Sequence, residues 1–211
     1  VGSPIPLAGT DRETAAKLLD KLEVQRFFEE EQIPVPPLAG EDDFPCIAKP
    51  RSGAGGWRNA VIRSREDLVR WREENMGAEP LLQALVPGTP ASVSCLSDGR
   101  DAIALATNEQ LLRGGDESPF GFTGSVTPLH HPLAGRMKAL AAEAAAASGC
   151  MGSVGVDFVL GEEAVAIELN PRFQATVDTV ESALGISLFS LHMDACRRTL
   201  PPVVPEPRRC V

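Results

Sequence analysis

The stretch Gly155-Val156-Asp157-Phe158-Val159-Leu160, Gly161-Glu162-Glu163, Ala164-Val165-Ala166-Ile167-Glu168-Leu169-Asn170-Pro171-Arg172 decides how this chain is read. Two apolar runs flank a short acidic turn that opens on glycine, the pattern of a β-hairpin. With the turn centred between Glu162 and Glu163, Asp157 stands directly opposite Glu168. Residues paired this way share a face, and alternation along the strand adds Asn170 and then Arg172 to it. Phe158 and Ile167 fall on the opposite face, toward a core. Two carboxylates side by side repel each other unless one holds a proton or a cation lies between them. Asp157, Glu168 and the Asn170 carbonyl are hard oxygen donors, the set that suits Mg²⁺ completed by phosphate oxygens and water, with Mn²⁺ as a substitute. Arg172, at the end of the same strand, is placed to stabilise charge on a transferring phosphoryl group. Taken by itself, the same pattern also describes a solvated sheet face carrying unrelated acids.

Upstream, an apolar strand over Pro45–Lys49 ends on a lysine and runs into the loop Ser52–Gly56, with a returning strand over Asn59–Ile62. Gly53, Gly55 and Gly56 allow backbone N–H groups to approach phosphates closely. No Gly-Lys-Ser/Thr follows, so this is not a Walker A loop. The glycines lead into a strand, so it is not a dinucleotide fingerprint either. The two readings left are a flap over phosphates and an ordinary flexible hairpin.

The remaining elements alternate without a repeating βαβ unit. A capping box at Thr10-Asp11-Arg12-Glu13 opens a helix to about Gln32, with Ala15, Leu18, Leu19 and Leu22 on one stripe; Pro34, Pro36 and Pro37 stop it. Ser64 caps a charged helix ending near Asn75. A strand covers Pro80–Val86, and a hairpin turns at Ser97-Asp98-Gly99-Arg100 between Ser92–Leu96 and Ala102–Thr107. Residues 113–123 read as a glycine-rich loop. A helix over Pro132–Ser148 closes at Gly149, and a last one spans Ser187–Arg198. The expected fold class is α+β.

Composition narrows the function classes. The chain has 211 residues, 43% of them hydrophobic and 23% charged, with a net charge of −9. That charge argues against a nucleic-acid surface, which needs clustered Lys and Arg. No run of about 18 apolar residues marks a membrane span, and no signal-peptide pattern opens the chain. Cys46, Cys95, Cys150, Cys196 and Cys210 form no Cys-x-x-Cys pair, so the expectation is free thiols in a cytoplasmic protein. His130 and His131 lack a third ligand, and His192 reads as a packed or surface helix residue rather than a catalytic base. Trp57 reads as partly buried packing beside the glycine loop, and Glu29–Glu31 as a solvated helix end. Val1 in place of Met marks a fragment, a processed product or an alternative start.

Lys21, then Ile33-Pro34-Val35-Pro36, Ile47-Ala48-Lys49, the glycine loop, Leu81-Leu82-Gln83-Ala84-Leu85-Val86-Pro87-Gly88, and the acidic hairpin come in an order that resembles the ATP-grasp superfamily, over about residues 10–200. Asn108-Glu109-Gln110-Leu111 and Gly124-Ser125-Val126-Thr127-Pro128 are similar to its archaeal carboligase branch, related to biotin carboxylase. The resemblance implies two α+β lobes around a nucleotide: a helical lead-in over 1–40, a small lobe over 41–88, a large lobe over 89–200 and a tail over 201–211. It implies that Lys21 and Lys49 contact the α- and β-phosphates of ATP, and that Gln83, Ala84, Leu85 and Val86 form the hinge that bonds adenine through its backbone. Asp157, Glu168 and Asn170 would hold Mg²⁺, and Arg172 would steady the transferring phosphate. The implied activity is attack of a small-molecule carboxylate on ATP, giving an acyl phosphate captured by an amine or other nucleophile. The alternatives are a nucleotide-binding module without its own ligase activity, or a kinase. Pro90 stands where several members carry a ribose-binding Glu. The chain also starts about where the family's N-terminal substrate domain ends, so a homodimer or a partner chain supplying that domain is the implied partner.

Overall fold

The computed structural model describes residues 7–53, 55–115 and 119–211. Two antiparallel sheets organise it, as the α+β expectation requires. The smaller sheet combines β1 (Cys46–Pro50), β2 (Ala60–Ile62) and β3 (Pro80–Ala84) in the order β2-β1-β3. Helix α3 (Arg65–Glu74) lies over it, and its N-cap Ser64 accepts from the Asp67 N–H as the sequence predicts. Leu68 and Trp71 from this helix bury against Cys46, Ala48, Ile62 and Leu82.

The larger sheet has five strands: β4 (Thr89–Asp98), β5 (Ala102–Leu112), β6 (Phe122–Val126), β7 (Met151–Leu160) and β8 (Ala164–Asn170), in the order β6-β5-β4-β7-β8. Alternation sets its two faces apart. Val154, Val156, Phe158 and Leu160 point to one side, where α4 (Ala134–Ala147) seals them with Met137, Leu140 and Ala144. Burying a large apolar side chain such as Phe158 contributes about 1.5–3 kcal/mol, so this face holds the sheet in place. The other face is shared. Helices α5 (Val177–Leu184) and α6 (Leu188–Ala195) cover Leu96, Leu105 and Ala106 at one end, leaving Asp157 and Val159 to face an open cleft.

The chain departs from the sequence reading in four places. The single helix over 10–32 is two: α1 (Arg12–Lys17), capped by Asp11 rather than Thr10, and α2 (Lys21–Glu30), capped by Asp20. The Asp20 side chain accepts from the Leu22 N–H and also pairs with Arg51, so it competes with helix continuation. The stripe through Leu19 is therefore lost, with Leu19 exposed and Val24 and Phe28 forming the buried contacts. Within residues 113–123, of which 116–118 lie outside the described residues, Phe122 begins the edge strand β6 paired to β5. Helix α5 has no counterpart in the sequence reading, although Gly185 closes it in the left-handed region. Ile167 does not face the core but lines the cleft.

Candidate functional site

That last difference comes from a β-bulge. Leu160 pairs with Ala164 across a three-residue turn centred on Glu162, not between Glu162 and Glu163. The ladder shifts between Asp157 and Phe158, and Asp157 then pairs with Glu168 and Gly155 with Asn170. The extra residue Ile167 turns Glu168 toward the cleft. The carboxylates are thus opposite each other as expected, but through a shorter turn and a compensating bulge.

Three segments meet at this hairpin: α2, β1 and the glycine loop. The break before α2 leaves Lys21 in that helix's first turn, and its Nζ lies 3.3 Å from Glu168 Oε1 and donates to the Gly53 carbonyl at 2.5 Å. Lys49 enters from β1 with 5% of its surface exposed. Burial draws its ammonium down to about 8, partly offset by the Glu168 and Asp157 charges, while Lys21 pushes in the same direction as burial. Gly53, Gly55 and Gly56 of the glycine loop line the cleft, and Ala54 lies outside the described residues. At Gly56, with φ of +70°, a Cβ would come within 2.2 Å of the Phe120 carbonyl, so the loop meets the large sheet's side where no side chain fits. The stem of the loop is clamped to α2 by the Lys21 N–H on the Arg51 carbonyl at 2.8 Å and by the Arg51–Asp20 ion pair.

Asp157 is recessed and held from both sides. Gln110 Nε2 donates to Oδ1 at 2.9 Å and Asn170 Nδ2 to Oδ2 at 3.1 Å. Burial first, and then the Glu168 charge, raise its carboxyl to about 7, against those two hydrogen bonds and the Arg172 charge. A buried carboxylate raised by a like neighbour is the electrostatic signature of a site that takes up a proton or a cation. Among the described residues, no three His, Cys, Asp or Glu side chains converge as a metal cluster. The donor set for a divalent ion is therefore the two carboxylates with the Asn170 amide, all hard oxygen donors, which fits Mg²⁺. In the arrangement seen, Asn170 turns its NH₂ to Asp157 and its carbonyl to Arg172 Nη2 at 3.3 Å, so ligation by Asn170 requires a half-turn of that amide.

The cleft encloses about 220 Å³. Lys21, Lys49, Gly53, Gly55, Gly56, Ala84, Leu85, Val86, Asp157 and Glu168 all line it, which brings together most of the residues singled out in the sequence. Gln83 does not line it. Its side chain is 1% exposed and donates to Gln25 Oε1 at 2.6 Å, behind the hinge. Asn170 reaches the site through its hydrogen bond to Asp157, and Arg172 through its own to Asn170, rather than through the cleft wall. Pro90 borders the cleft between Val159 and Gln110. Gln110, Phe120, Phe122 and Ile167 are cleft residues that the sequence reading missed. A glutamine or phenylalanine on a strand has no spacing that marks it as facing a ligand, and only the strand register could have found them.

The family described as ATP-grasp domain matches residues 18–176. The large chain of carbamoyl phosphate synthase from Thermus thermophilus is 31% identical over 163 residues, covering 73% of this chain and 16% of that one. Among solved structures, the biotin carboxylase domain of Hydrogenobacter thermophilus 2-oxoglutarate carboxylase, determined with MgADP, ADP and bicarbonate, superposes with a TM-score of 0.81 at 17% identity. It covers 96% of this chain and 51% of that one. An ATP-grasp superfamily protein from Archaeoglobus fulgidus gives a TM-score of 0.67 at 24% identity, covering 93% and 58%. At these identities the structural likeness speaks to the fold alone. The chain spans less than a fifth of that synthase chain and about half of each of these two structures.

Proposed function

The chain belongs to the ATP-grasp family, and from that premise we propose that it is the nucleotide-binding core of an ATP-dependent carboxylate ligase. The observation that carries this reading is Asp157 facing Glu168 at one register position, with the Lys21 and Lys49 side chains lining the same cleft. ATP lies in the cleft, its adenine against the hinge residues Ala84 to Val86, with Ile167 and Val159 as apolar walls. Lys21 and Lys49 meet the α- and β-phosphates, and the backbone of Gly53, Gly55 and Gly56 closes over them. Asp157, Glu168 and, after its half-turn, Asn170 hold Mg²⁺, or Mn²⁺ in its place. Once bound there, the ion supplies charge neutralisation to the phosphate oxygens.

The residues of this chain supply positioning and electrostatics rather than a covalent intermediate. Arg172 extends from the same strand end and, released from Asn170, is free to steady the transferring phosphoryl group. The acceptor is a small carboxylate, activated as its acyl phosphate and captured by an amine or other nucleophile. A substrate domain, in the same polypeptide or from a second copy or partner chain, completes the acceptor side.

The test is nucleotide binding with and without Mg²⁺, followed by ADP release on feeding mixtures of carboxylates and amines. Mg²⁺-dependent binding that Asp157→Asn abolishes is the expected result. Failure of the wild-type chain to bind nucleotide in Mg²⁺ would remove the proposal. One observation favours a second reading: Pro90 lines the cleft at the position where the resemblance implies a ribose-binding Glu. Tight binding with no turnover in any mixture would identify a nucleotide-binding module. A stable phosphorylated product without a new amide would identify a kinase.

A further inference from the structure

We propose that Gln110 is the positioning residue for Asp157, the amide that holds this carboxylate in place once Asn170 turns its carbonyl to a metal ion; the inference rests on the function proposed above. Each Asp157 oxygen accepts one amide, Oδ1 from Gln110 at 2.9 Å and Oδ2 from Asn170 at 3.1 Å. An amide offers its NH₂ or its carbonyl to a given neighbour, not both. If Asn170 ligates through Oδ1, its Nδ2 swings away from Asp157. Of the two amides, only Gln110 then remains to fix the carboxylate plane. The half-turn also ends the Arg172 contact to Asn170 Oδ1.

Gln110 is held firmly enough for this task. It lies on β5 and reaches across β4 to the carboxylate on β7, where Asp157 pairs with Ser92 and Val159 with Pro90. Two residues earlier on the same face, Asn108 is fully buried. Its Nδ2 donates to Ser92 Oγ and Ser94 Oγ, each at 3.2 Å, and its Oδ1 accepts from Thr127 Oγ1 at 2.6 Å. A ladder shift follows at once, between Leu111 and Leu112. The strand is therefore anchored on one side of Gln110 and re-aimed on the other. An outer amide that orients a ligating carboxylate commonly governs metal affinity by about 10–100-fold.

The experiment is direct Mn²⁺ binding in the presence of ADP, read by electron paramagnetic resonance, with metal-free ADP affinity and the melting temperature measured alongside. Gln110→Met keeps the length of the side chain and removes the donor, and Gln110→Leu is the second variant in case the first does not fold. The expected result is Mn²⁺ affinity weakened about 10–100-fold, with metal-free ADP affinity, at a residue that also lines the cleft, reduced by a much smaller factor and a cooperative melt retained. Mn²⁺ affinity within about twofold of wild type in a folded variant would overturn the role of Gln110 and leave the proposed function standing, since a twofold change lies far below the effect of a lost orienting partner. Loss of metal-free ADP affinity in equal measure would also overturn it, because that marks a general disturbance of the cleft. Wild-type protein that binds no Mn²⁺ with ADP would remove both proposals.

Discussion

Lys49 spends almost all of its surface inside the protein, and this decides how nucleotide binding responds to pH. Burial draws its ammonium down to about 8, and phosphate attracts only the charged form. Nucleotide affinity is expected to fall as pH rises through about 8. Lys49→Met should bind roughly 10–100-fold more weakly below that pH, the scale of one charge-assisted hydrogen bond, and should lose the fall in affinity above it. Calorimetric titration across the range checks both. Asp157 gives the opposite slope. Its carboxyl is raised from 3.8 to about 7, so between those values the folded chain holds a proton that the unfolded chain has released. Without metal, the Asp157 contribution to stability therefore declines as pH rises through that window and is flat above it. A divalent ion binds the ionised form, so the Mg²⁺-dependent rise in melting temperature with nucleotide should be larger at about pH 8 than at about pH 6. The same shift in Asp157→Asn should be absent; an equal shift at both pH values would contradict this account.

Among the secondary-structure elements, the glycine loop and the acidic hairpin carry the site. Gly56 combines a positive φ with a carbonyl at contact distance, so Gly56→Ala meets both backbone strain and a clash. The expectation is nucleotide binding weakened well beyond any change in melting temperature, since Gly53 and Gly55 are exposed and only Gly56 abuts the Phe120 backbone. An unchanged dissociation constant would show that the closed loop is not the binding form. The hairpin was largely legible in the sequence because alternation and turn length constrain strand pairing. The bulge was not, since one extra residue leaves the apolar pattern of Ala164–Leu169 intact while turning Ile167 outward. The break between α1 and α2 was hidden for a related reason: Asp20 reads as a surface helix residue until Arg51, far along the chain, draws its carboxylate aside. Lys21 emerged only from the resemblance to a family, and Gln110 only as part of a motif, with no role in the site. A side chain that acts through another carries no local signature.

For the molecule as a whole, the tail has a structural part that its prolines do not announce. Val211 exchanges two backbone hydrogen bonds with Thr127, at 2.8 and 2.9 Å, and the Arg208 N–H donates to the Ala183 carbonyl at 2.7 Å. These tie β6 and α5, at the rim of the large sheet, to one segment. Removing residues 208–211 is expected to destabilise the fold by about 1–3 kcal/mol, a drop of a few degrees in melting temperature. Metal-dependent nucleotide binding should survive at lower temperature, because no tail residue lines the cleft. A circular-dichroism melt of the shortened chain gives the answer.

The contact between Lys21 and Glu168 joins the first long helix to the last strand of the large sheet, with Gly53 held by the same ammonium. A guest in the cleft beside that contact would act as a keystone, touching the early, middle and late parts of the polypeptide together. Whatever small molecule this protein grips, heating should release it in one cooperative step, because neither half of the arch can loosen while the stone is seated.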